Sequence, residues 1–347
     1  MTTVPSDLMT AAIYRGDGRI EVGEVPVPVP APGELLVEVA QCGICGSDLH
    51  LVFEQYARPG AILGHEWSGT VVAGNGTGTE RPTGARVVSN PSPGCGVCRP
   101  CRRGRPSVCL RREPSDIRDM RGAFARYMTV SAVGTLVVPD SLDLRVAALA
   151  EPTAIAVHAV ELAGAGTDDR VLVTGGGPVG LLVVSVLLAR GVRDITVSEP
   201  SELRRQRALA VGAARAVRPE ELDEAPPGGL VATPVDVVFE CSGSPTAGAR
   251  ALDQLDRAGT LVFVGTGAVP VPVNHNRMII FELEALGAYN YSVDGFRPAV
   301  DLLVDGLLPV DLLVEMADVP LSGVMDAMER IARGDVAAKV LVNPEAS

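Results

Sequence analysis

Two short stretches of the chain carry side chains that can bind a metal ion. One reads CGICGSDLH and the other, after a short gap, reads GHEW. A thiolate from Cys42 or Cys45 and the imidazole of His65 would supply two ligands of the kind that zinc binds. A catalytic zinc takes a third protein ligand and keeps its fourth position open. The candidates for that third ligand are the carboxylates of Glu66 and Glu151, with water as the alternative.

Four further cysteines are concentrated in one loop. They are separated by two, two and seven residues, at Cys95, Cys98, Cys101 and Cys109. Four thiolates complete a tetrahedral zinc site with no open position, so this spacing predicts a structural zinc rather than a disulfide framework. Arginines crowd the same loop, as they do in zinc ribbons that bind nucleic acid, but the net charge of −12 argues against a nucleic-acid partner.

A nucleotide-binding unit follows in the second half of the chain. An apolar strand at 170–174 leads into GGGPVG, an amphipathic helix runs to about residue 190, and a second strand at 194–198 ends at an acid. Strand, glycine loop, helix and acid in this order are typical of a dinucleotide-binding fold. The predicted cofactor-binding residues are three glycines, the two residues that open the helix, the acid and a nearby arginine: Gly175, Gly177, Gly180, Pro178, Val179, Glu199 and Arg204.

The acid at the end of the second strand bears on the choice of cofactor. A carboxylate there accepts hydrogen bonds from the adenosine ribose hydroxyls and repels a 2′-phosphate, so Glu199 favours NAD over NADP. Arg204 and Arg205 lie close by in sequence and keep NADP open as the alternative.

Length and composition limit the remaining possibilities. A chain of 347 residues predicts two domains. No apolar run reaches the roughly 18 residues that a membrane span needs, and the N-terminus lacks the pattern of a signal peptide, so we expect a cytoplasmic protein without a membrane partner. Of the 30 basic residues only Lys339 is a lysine, a bias that we attribute to a GC-rich coding sequence.

The motifs CGICGSDLH and GHEWSG, followed by a later EP, resemble the zinc-dependent medium-chain dehydrogenases. They are most similar to the branch of sorbitol, threonine and butanediol dehydrogenases, and the resemblance covers essentially the whole chain. It implies an α/β fold in which a GroES-like β-rich catalytic domain, made of residues 1–152 and 291–347, surrounds a Rossmann domain. That domain, at residues 153–290, would hold a doubly wound parallel sheet. The four cysteines would lie in a zinc lobe at about residues 93–111.

The resemblance also assigns roles in the first motif, where it selects Cys45 over Cys42 as the zinc ligand. Ser47 and His50 would pass the substrate proton to solvent, because the pKa of imidazole lies near neutrality. Asp48 would hold the imidazole ligand in its ligating tautomer. The same SDLH residues would also cap a helix, and the two interpretations are compatible.

Three expectations concern the surroundings of the metal ion. A proline after Glu151 predicts non-helical backbone at this carboxylate, which in polyol dehydrogenases faces the catalytic zinc. Residues 116–121 are expected to contribute to substrate selectivity. Lys339 is expected near the cofactor, where the family often has a basic residue.

The reaction implied is the NAD-linked oxidation of a secondary alcohol to a ketone, by hydride transfer from a zinc-bound alkoxide. The substrate would be a small polyol, diol, amino alcohol or cyclitol. Two zinc ions per chain are expected, one catalytic and one structural, in a homodimer or homotetramer that pairs through the last strand, in LEALGAYNYS. The alternatives are a zinc-free quinone or enoyl reductase on the same fold, and a cofactor-binding relative without catalysis.

Overall fold

A computed structural model describes residues 8–75, 82–90, 94–111, 120–291 and 296–346. Of the segment 116–121, for which the sequence predicts a part in substrate selectivity, residues 116–119 lie outside the described residues. No helix within the described ranges has both the length and the apolar character that crossing a membrane requires.

The catalytic domain is built on an antiparallel sheet and a separate hairpin. The hairpin pairs β1 (Leu8–Gly16) with β2 (Arg19–Pro26). The sheet has six strands in the order β14 (Leu341–Val342), β3 (Glu34–Gly43), β4 (Glu66–Asn75), β5 (Arg86–Ser89) and β7 (Thr135–Val137), with β6 (Tyr127–Ser131) also paired to β3. Most residues of β3 are buried, and its apolar side chains belong to the core of this domain. The first metal-binding motif begins at the end of this strand.

The cofactor domain contains a sheet of six parallel strands. Their order is β10 (Arg215–Val217), β9 (Asp194–Ser198), β8 (Arg170–Thr174), β11 (Val235–Glu240), β12 (Leu255–Phe263) and β13 (Glu284–Gly287). The associated helices are α4 (Ala150–Ala163), α5 (Pro178–Ala189), α6 (Glu202–Val211), α7 (Pro245–Gln254) and α8 (His275–Phe281). The strand order reverses between β8 and β11, and ligands of such sheets bind at that point. The predicted α/β class is confirmed.

The remaining helices are short. They are α1 (Gly46–Phe53), α2 (Arg99–Arg102), α3 (Leu144–Ala147), α9 (Arg297–Val304), α10 (Val310–Leu313) and α11 (Val324–Arg333), and single 3₁₀ turns occur at Pro106–Val108, Pro219–Glu221 and Leu321–Gly323.

Several of these helices lie near the predicted domain boundaries. The boundary at 152 falls inside α4, which spans both predicted segments. After residue 291 the chain first adds α9 to α4 and α10 to α5 and α6, so it stays with the cofactor domain. Further along the chain, the 3₁₀ turn Leu321–Gly323 packs on β1 and β2, α11 packs on β2, and β14 pairs with β3 of the catalytic domain. The predicted domain bounds, 1–152, 153–290 and 291–347, stay a prediction.

Glu151 lies inside a helix, contrary to the expectation drawn from Pro152. It is the second residue of α4, whose backbone hydrogen bonds begin with Thr153 N donating to Leu149 O at 2.9 Å. A proline in the first turn of a helix costs no hydrogen bond, because its missing N–H would have no partner within the helix. The first turn of α4 thus fixes the direction of the Glu151 side chain.

Candidate active site and metal centres

Strand register brings the predicted metal ligands together. Gly43, the last residue of β3, lies opposite Glu66 of β4 on one side and opposite Leu341 of β14 on the other. Cys45 follows Gly43 by two residues, and His65 immediately precedes Glu66. The thiol, the imidazole and the carboxylate therefore meet at one end of the antiparallel sheet.

These three residues form a cluster with the geometry of a metal site. The Cys45 sulfur, an imidazole nitrogen of His65 and a carboxylate oxygen of Glu66 all lie within 4.8 Å of one another. A thiol, an imidazole and a carboxylate gathered within this distance are the donor set that zinc binds, so the cluster fits a zinc ion.

The charges around the cluster also favour a cation. Asp48, Glu66 and Glu151 are all buried, and the ammonium of Lys339 is buried with them. Burial by itself would lower the pKa of His65, but the charges of Asp48 and Cys45 hold that pKa well above its usual value. Negative groups removed from water are stable only with cationic partners, and a divalent ion would supply further positive charge here.

Glu151 is close to the cluster but is held by a different partner. Its carboxylate accepts a short hydrogen bond from the hydroxyl of Tyr291, and both side chains are buried. Burial raises the pKa of Glu151 to about 7; the charge of His65 opposes this shift and that of Glu66 adds to it. The geometry therefore groups Glu66, and not Glu151, with Cys45 and His65 among the described residues. Sequence reasoning missed Tyr291, which no local motif marks.

Asp48 both caps helix α1 and lies behind the imidazole of His65, the two roles that the sequence predicts for it. It is the third residue of α1, and its Oδ2 accepts a hydrogen bond from the Cys45 backbone N–H at 2.9 Å, which caps the helix. Its Oδ1 lies 3.4 Å from Gly64 N and 3.6 Å from His65 Nδ1. The helix cap therefore also places a carboxylate behind the imidazole.

Ser47 and His50 lie on α1 with different surroundings. The Ser47 hydroxyl is 3.5 Å from His65 Nε2, next to the metal cluster. His50 Nδ1 lies 2.6 Å from Glu54 Oε1, and its side chain is 37% exposed. No direct hydrogen bond joins Ser47 to His50 in the region described, so a proton passing between them needs a bridging group.

The four-cysteine loop forms a second cluster, with all four sulfur atoms within 4.8 Å of one another. The sulfurs of Cys98 and Cys109 are 3.8 Å apart, too far for a disulfide but close to the roughly 3.8 Å edge of a tetrahedron with Zn–S bonds of about 2.3 Å. The backbone N–H of Cys101 lowers the pKa of Cys98 to about 6, and that of Cys95 lowers the pKa of Cys109. Burial raises the pKa of Cys101 to about 11, so Cys98 and Cys109 are the two thiols that the backbone prepares to bind as thiolates.

The glycine loop of the cofactor domain has the close contacts of a dinucleotide site. Gly175 has a φ of +95°, which favours glycine. A Cβ at Gly180 would lie 1.9 Å from Gly175 O, so α5 can approach β8 only through glycine. A Cβ at Gly177 would meet nothing within 4 Å and would point into open space in front of the helix. The pair Pro178 and Val179 opens α5, whose free N–H groups can bind a pyrophosphate.

Glu199 and Arg204 are both engaged by backbone groups. The Glu199 carboxylate is buried and accepts hydrogen bonds from Gly176 N and Ser201 N, both at 2.8 Å. Arg204 donates from Nε to Val336 O at 3.0 Å, which ties α6 to the C-terminal segment. The neighbouring Arg205 donates to the carbonyl of Glu199 and so fixes the turn that carries the acid.

Comparison with known proteins identifies the family. Residues 31–140 match the family model of the alcohol dehydrogenase GroES-like domain, and residues 178–305 match that of zinc-binding dehydrogenases. Sorbitol dehydrogenase of Bacillus subtilis (strain 168) is 30% identical over 99% of both chains. L-threonine 3-dehydrogenase of Pyrococcus abyssi is 38% identical over 76% of this chain and 77% of that enzyme. The chain belongs to the zinc-dependent medium-chain dehydrogenases.

A solved structure gives the same result for this dehydrogenase. A protein from Sinorhizobium meliloti 1021, bound to NADP, is 32% identical, covers 98% of this chain and 100% of its own, and has a TM-score of 0.86. The predicted enzyme class is therefore confirmed: the protein is an alcohol or polyol dehydrogenase of the zinc-binding, NAD(P)-linked family.

The four-cysteine cluster is expected to stabilise the folded protein, and this expectation can be tested. Cys98→Ser should remove one zinc equivalent and lower the melting temperature, because a structural zinc contributes directly to folding. Zinc analysis and calorimetry measure both effects. Cys241→Ser, outside both clusters, is the matched control and should leave the zinc content unchanged. A Cys98→Ser protein of unchanged stability that has lost catalysis would contradict the structural assignment.

Proposed function

We propose that this dehydrogenase oxidises a secondary alcohol that carries a second polar group: a polyol, vicinal diol, amino alcohol or cyclitol, with a ketone as product. The observation that carries the proposal is the cluster of Cys45, His65 and Glu66 with the buried Glu151 beside it. A carboxylate next to the metal ligands can accept a hydrogen bond from a second hydroxyl or ammonium group of the substrate. A simple alcohol has no such group.

In this proposal Cys45, His65 and Glu66 are the protein ligands of the catalytic zinc. Zinc supplies the Lewis acid that lowers the pKa of the substrate hydroxyl. Asp48 orients His65 from behind, and Ser47 Oγ, at 3.5 Å from the imidazole, is placed to take up the substrate proton. The partly exposed His50, paired with Glu54, exchanges the proton with solvent.

We propose NAD as the preferred cofactor. Glu199 directly follows β9, the strand next to β8, where a dinucleotide-binding domain recognises the adenosine ribose. Its buried carboxylate would repel a 2′-phosphate, and the neighbouring Arg204 is already engaged, since its Nε donates to Val336 O. The NADP in the Sinorhizobium structure makes cofactor preference a necessary part of the test.

We further propose that the chain forms a homodimer or homotetramer and holds two zinc ions, one in each cluster. β13 ends the parallel sheet and leaves its outer edge free within the described chain to pair with a second copy. Ile279 and Ile280 on α8, the helix that precedes β13, are more than half exposed, which favours a partner on this side.

The test combines metal analysis with an activity panel. Zinc per chain is measured on the isolated protein, and rates are measured with NAD and NADP on a polyol, a diol, an amino alcohol and a simple secondary alcohol. We expect two zinc ions per chain, NAD reduction, and a higher kcat/KM for substrates with a second polar group.

One result would overturn the proposal. If the protein holds a single zinc ion that is lost in Cys98→Ser but retained in Cys45→Ser, the Cys45 cluster is not a metal site. Reduction of quinones or enones in place of alcohol oxidation would then support the zinc-free alternative.

A further inference from the structure

A further buried carboxylate lies in the cofactor domain, outside both metal clusters. Glu240 is the last residue of β11 and is only 1% exposed. In the part of the chain that the structure describes, backbone N–H groups and hydroxyls bind this carboxylate, and no cationic side chain does. Removing a charge from water is costly unless hydrogen bonds satisfy it. Neither zinc binding nor proton transfer uses this group.

The hydrogen bonds of Glu240 hold the turn that follows the strand, residues 241–243 (the β11 turn). Oε1 accepts from Ser242 N at 2.9 Å and, in a short bond, from the Ser242 hydroxyl. Oε2 accepts from Gly243 N at 3.2 Å. Thr174 Oγ1, at the end of β8, donates to Oε1 at 3.4 Å. Both oxygens are therefore used by one turn, and one of them also reaches the neighbouring strand.

The β11 turn is packed between two other loops. A Cβ on Gly175 would lie 2.9 Å from Ser242 N, so the turn touches the glycine loop on one side. On its other side a Cβ on Gly243 would lie 2.2 Å from Thr266 O, in the segment that follows β12. Gly243 also has a φ of +67°, which favours glycine. The position of the turn is therefore tied to that of both loops.

The place of the β11 turn in the sheet relates it to one half of a dinucleotide. The strand order reverses between β8 and β11, which divides the sheet into two halves. In a fold of this kind each half binds one mononucleotide, and the cofactor crosses the sheet at the reversal. Glu199 follows β9, in the half that takes the adenosine. The half formed by β11, β12 and β13 therefore takes the nicotinamide, and the β11 turn lies at its carboxyl end.

Glu240 itself is shielded from a cofactor bound there. Its side chain is buried, whereas Ser242 in the β11 turn is exposed. A cofactor would therefore contact the turn and not the carboxylate. A turn that is ordered before binding avoids the entropy cost of ordering it during binding. The carboxylate thus acts on the cofactor through the shape of the turn.

The chemistry of these contacts requires an acid and not an amide. An ionised carboxylate only accepts hydrogen bonds, and all of its partners here are donors. A glutamine has nearly the same shape and could place its oxygen at Oε1. Its NH₂ group would then face the N–H of Gly243, and two donors cannot bind each other. Glu240→Gln is therefore expected to release the turn without changing the volume of the side chain.

We propose that Glu240 is a positioning residue for the cofactor, which holds the β11 turn in the shape that receives the nicotinamide half of NAD(P). The inference rests on the NAD(P)-linked family to which the chain belongs. It is independent of the proposed zinc mechanism and of the preference for NAD. The glycine loop and Glu199 act on the pyrophosphate and the adenosine, and Glu240 acts on the other half of the same ligand.

The experiment compares the binding of two ligands to Glu240→Gln and to the wild-type enzyme. NADH carries the nicotinamide, and its fluorescence reports the surroundings of that ring, whereas ADP occupies only the adenosine and pyrophosphate side. We expect NADH to bind about tenfold or more weakly, with a shifted emission of the bound cofactor. ADP affinity should change by less than about twofold. The loss of a purely structural carboxylate would weaken both ligands alike or neither.

Asp236→Asn is the matched control. Asp236 lies near the opposite end of the same strand, and its Oδ2 also accepts from the backbone of β8, from Arg170 N at 2.8 Å. Its replacement should leave both affinities unchanged. Circular dichroism and calorimetry monitor folding. If Glu240→Gln does not fold, Ser242→Ala decides the question, because it removes one exposed donor to the carboxylate and should weaken NADH binding by about threefold with ADP unaffected.

Two results would overturn the role of Glu240. One is wild-type affinity for NADH in Glu240→Gln, or in Ser242→Ala if only that variant folds. The other is an equal loss of affinity for NADH and ADP. A wild-type enzyme that binds NADPH in place of NADH would overturn the proposed cofactor preference alone, and NADPH with adenosine 2′,5′-bisphosphate would then test Glu240 in the same way.

Discussion

Replacing His65 by alanine is expected to lower kcat/KM for alcohol oxidation by about three orders of magnitude or more. The imidazole is one of three clustered donors, and without it the site loses the zinc ion whose Lewis acidity supplies several kcal/mol of transition-state stabilisation. NAD affinity should change by less than about twofold, because the glycine loop and Glu199 belong to a different sheet. Steady-state kinetics, zinc analysis and NAD titration measure the three quantities.

His275→Ala is the matched control for this prediction. His275 is exposed at the first position of α8, outside both metal clusters, and its loss should leave activity and zinc content unchanged. If His65→Ala kept its alcohol oxidation with only the four-cysteine zinc bound, the proposed zinc mechanism would be wrong.

Local sequence signals predicted the cofactor domain well. The strands expected at 170–174 and 194–198 coincide with β8 and β9, because short apolar runs there end abruptly at Gly175 and Glu199. The same holds for the four cysteines, whose close spacing in one loop leaves few ways to arrange their sulfur atoms. In both regions the chemistry and the residues that position it are neighbours in sequence.

The partners of the two active-site carboxylates could not be predicted in this way. Lys339 is 273 residues from Glu66, and Tyr291 is 140 residues from Glu151. Lys339 reaches its partner through the antiparallel register of β14 on β3 and of β3 on β4, which no local pattern encodes. The sequence expectation for Lys339 was a place near the cofactor, and the structure gives it Glu66 and a backbone carbonyl.

The domain to which a helix belongs is hard to predict for a related reason. Helices of both domains have the same apolar periodicity, so α9 and α10 carry no sign of the helices against which they pack. Proline also has two opposite effects at Glu151. A proline usually disfavours helical backbone at the residue before it, but the first turn of a helix tolerates proline, and here Glu151 is helical because Pro152 lies in that first turn.

Gly180→Ala is expected to destabilise the cofactor domain by about 3 kcal/mol or more. Its Cβ would lie 1.9 Å from the carbonyl oxygen of Gly175, a backbone atom that cannot rotate away, so α5 would have to move off β8. Calorimetry should show a lower melting temperature, and limited proteolysis should cut the variant faster than the wild type.

Gly177→Ala separates this packing effect from cofactor binding. Its Cβ would meet nothing within 4 Å, and its φ of −74° suits alanine, so the melting temperature should stay within about a degree of the wild type. NAD affinity should nevertheless fall by about tenfold or more, because the methyl group occupies the space through which the pyrophosphate approaches the backbone. A Gly177→Ala enzyme that binds NAD as tightly as the wild type would place the pyrophosphate elsewhere, whereas a Gly180→Ala enzyme of normal stability would show that α5 can shift without cost.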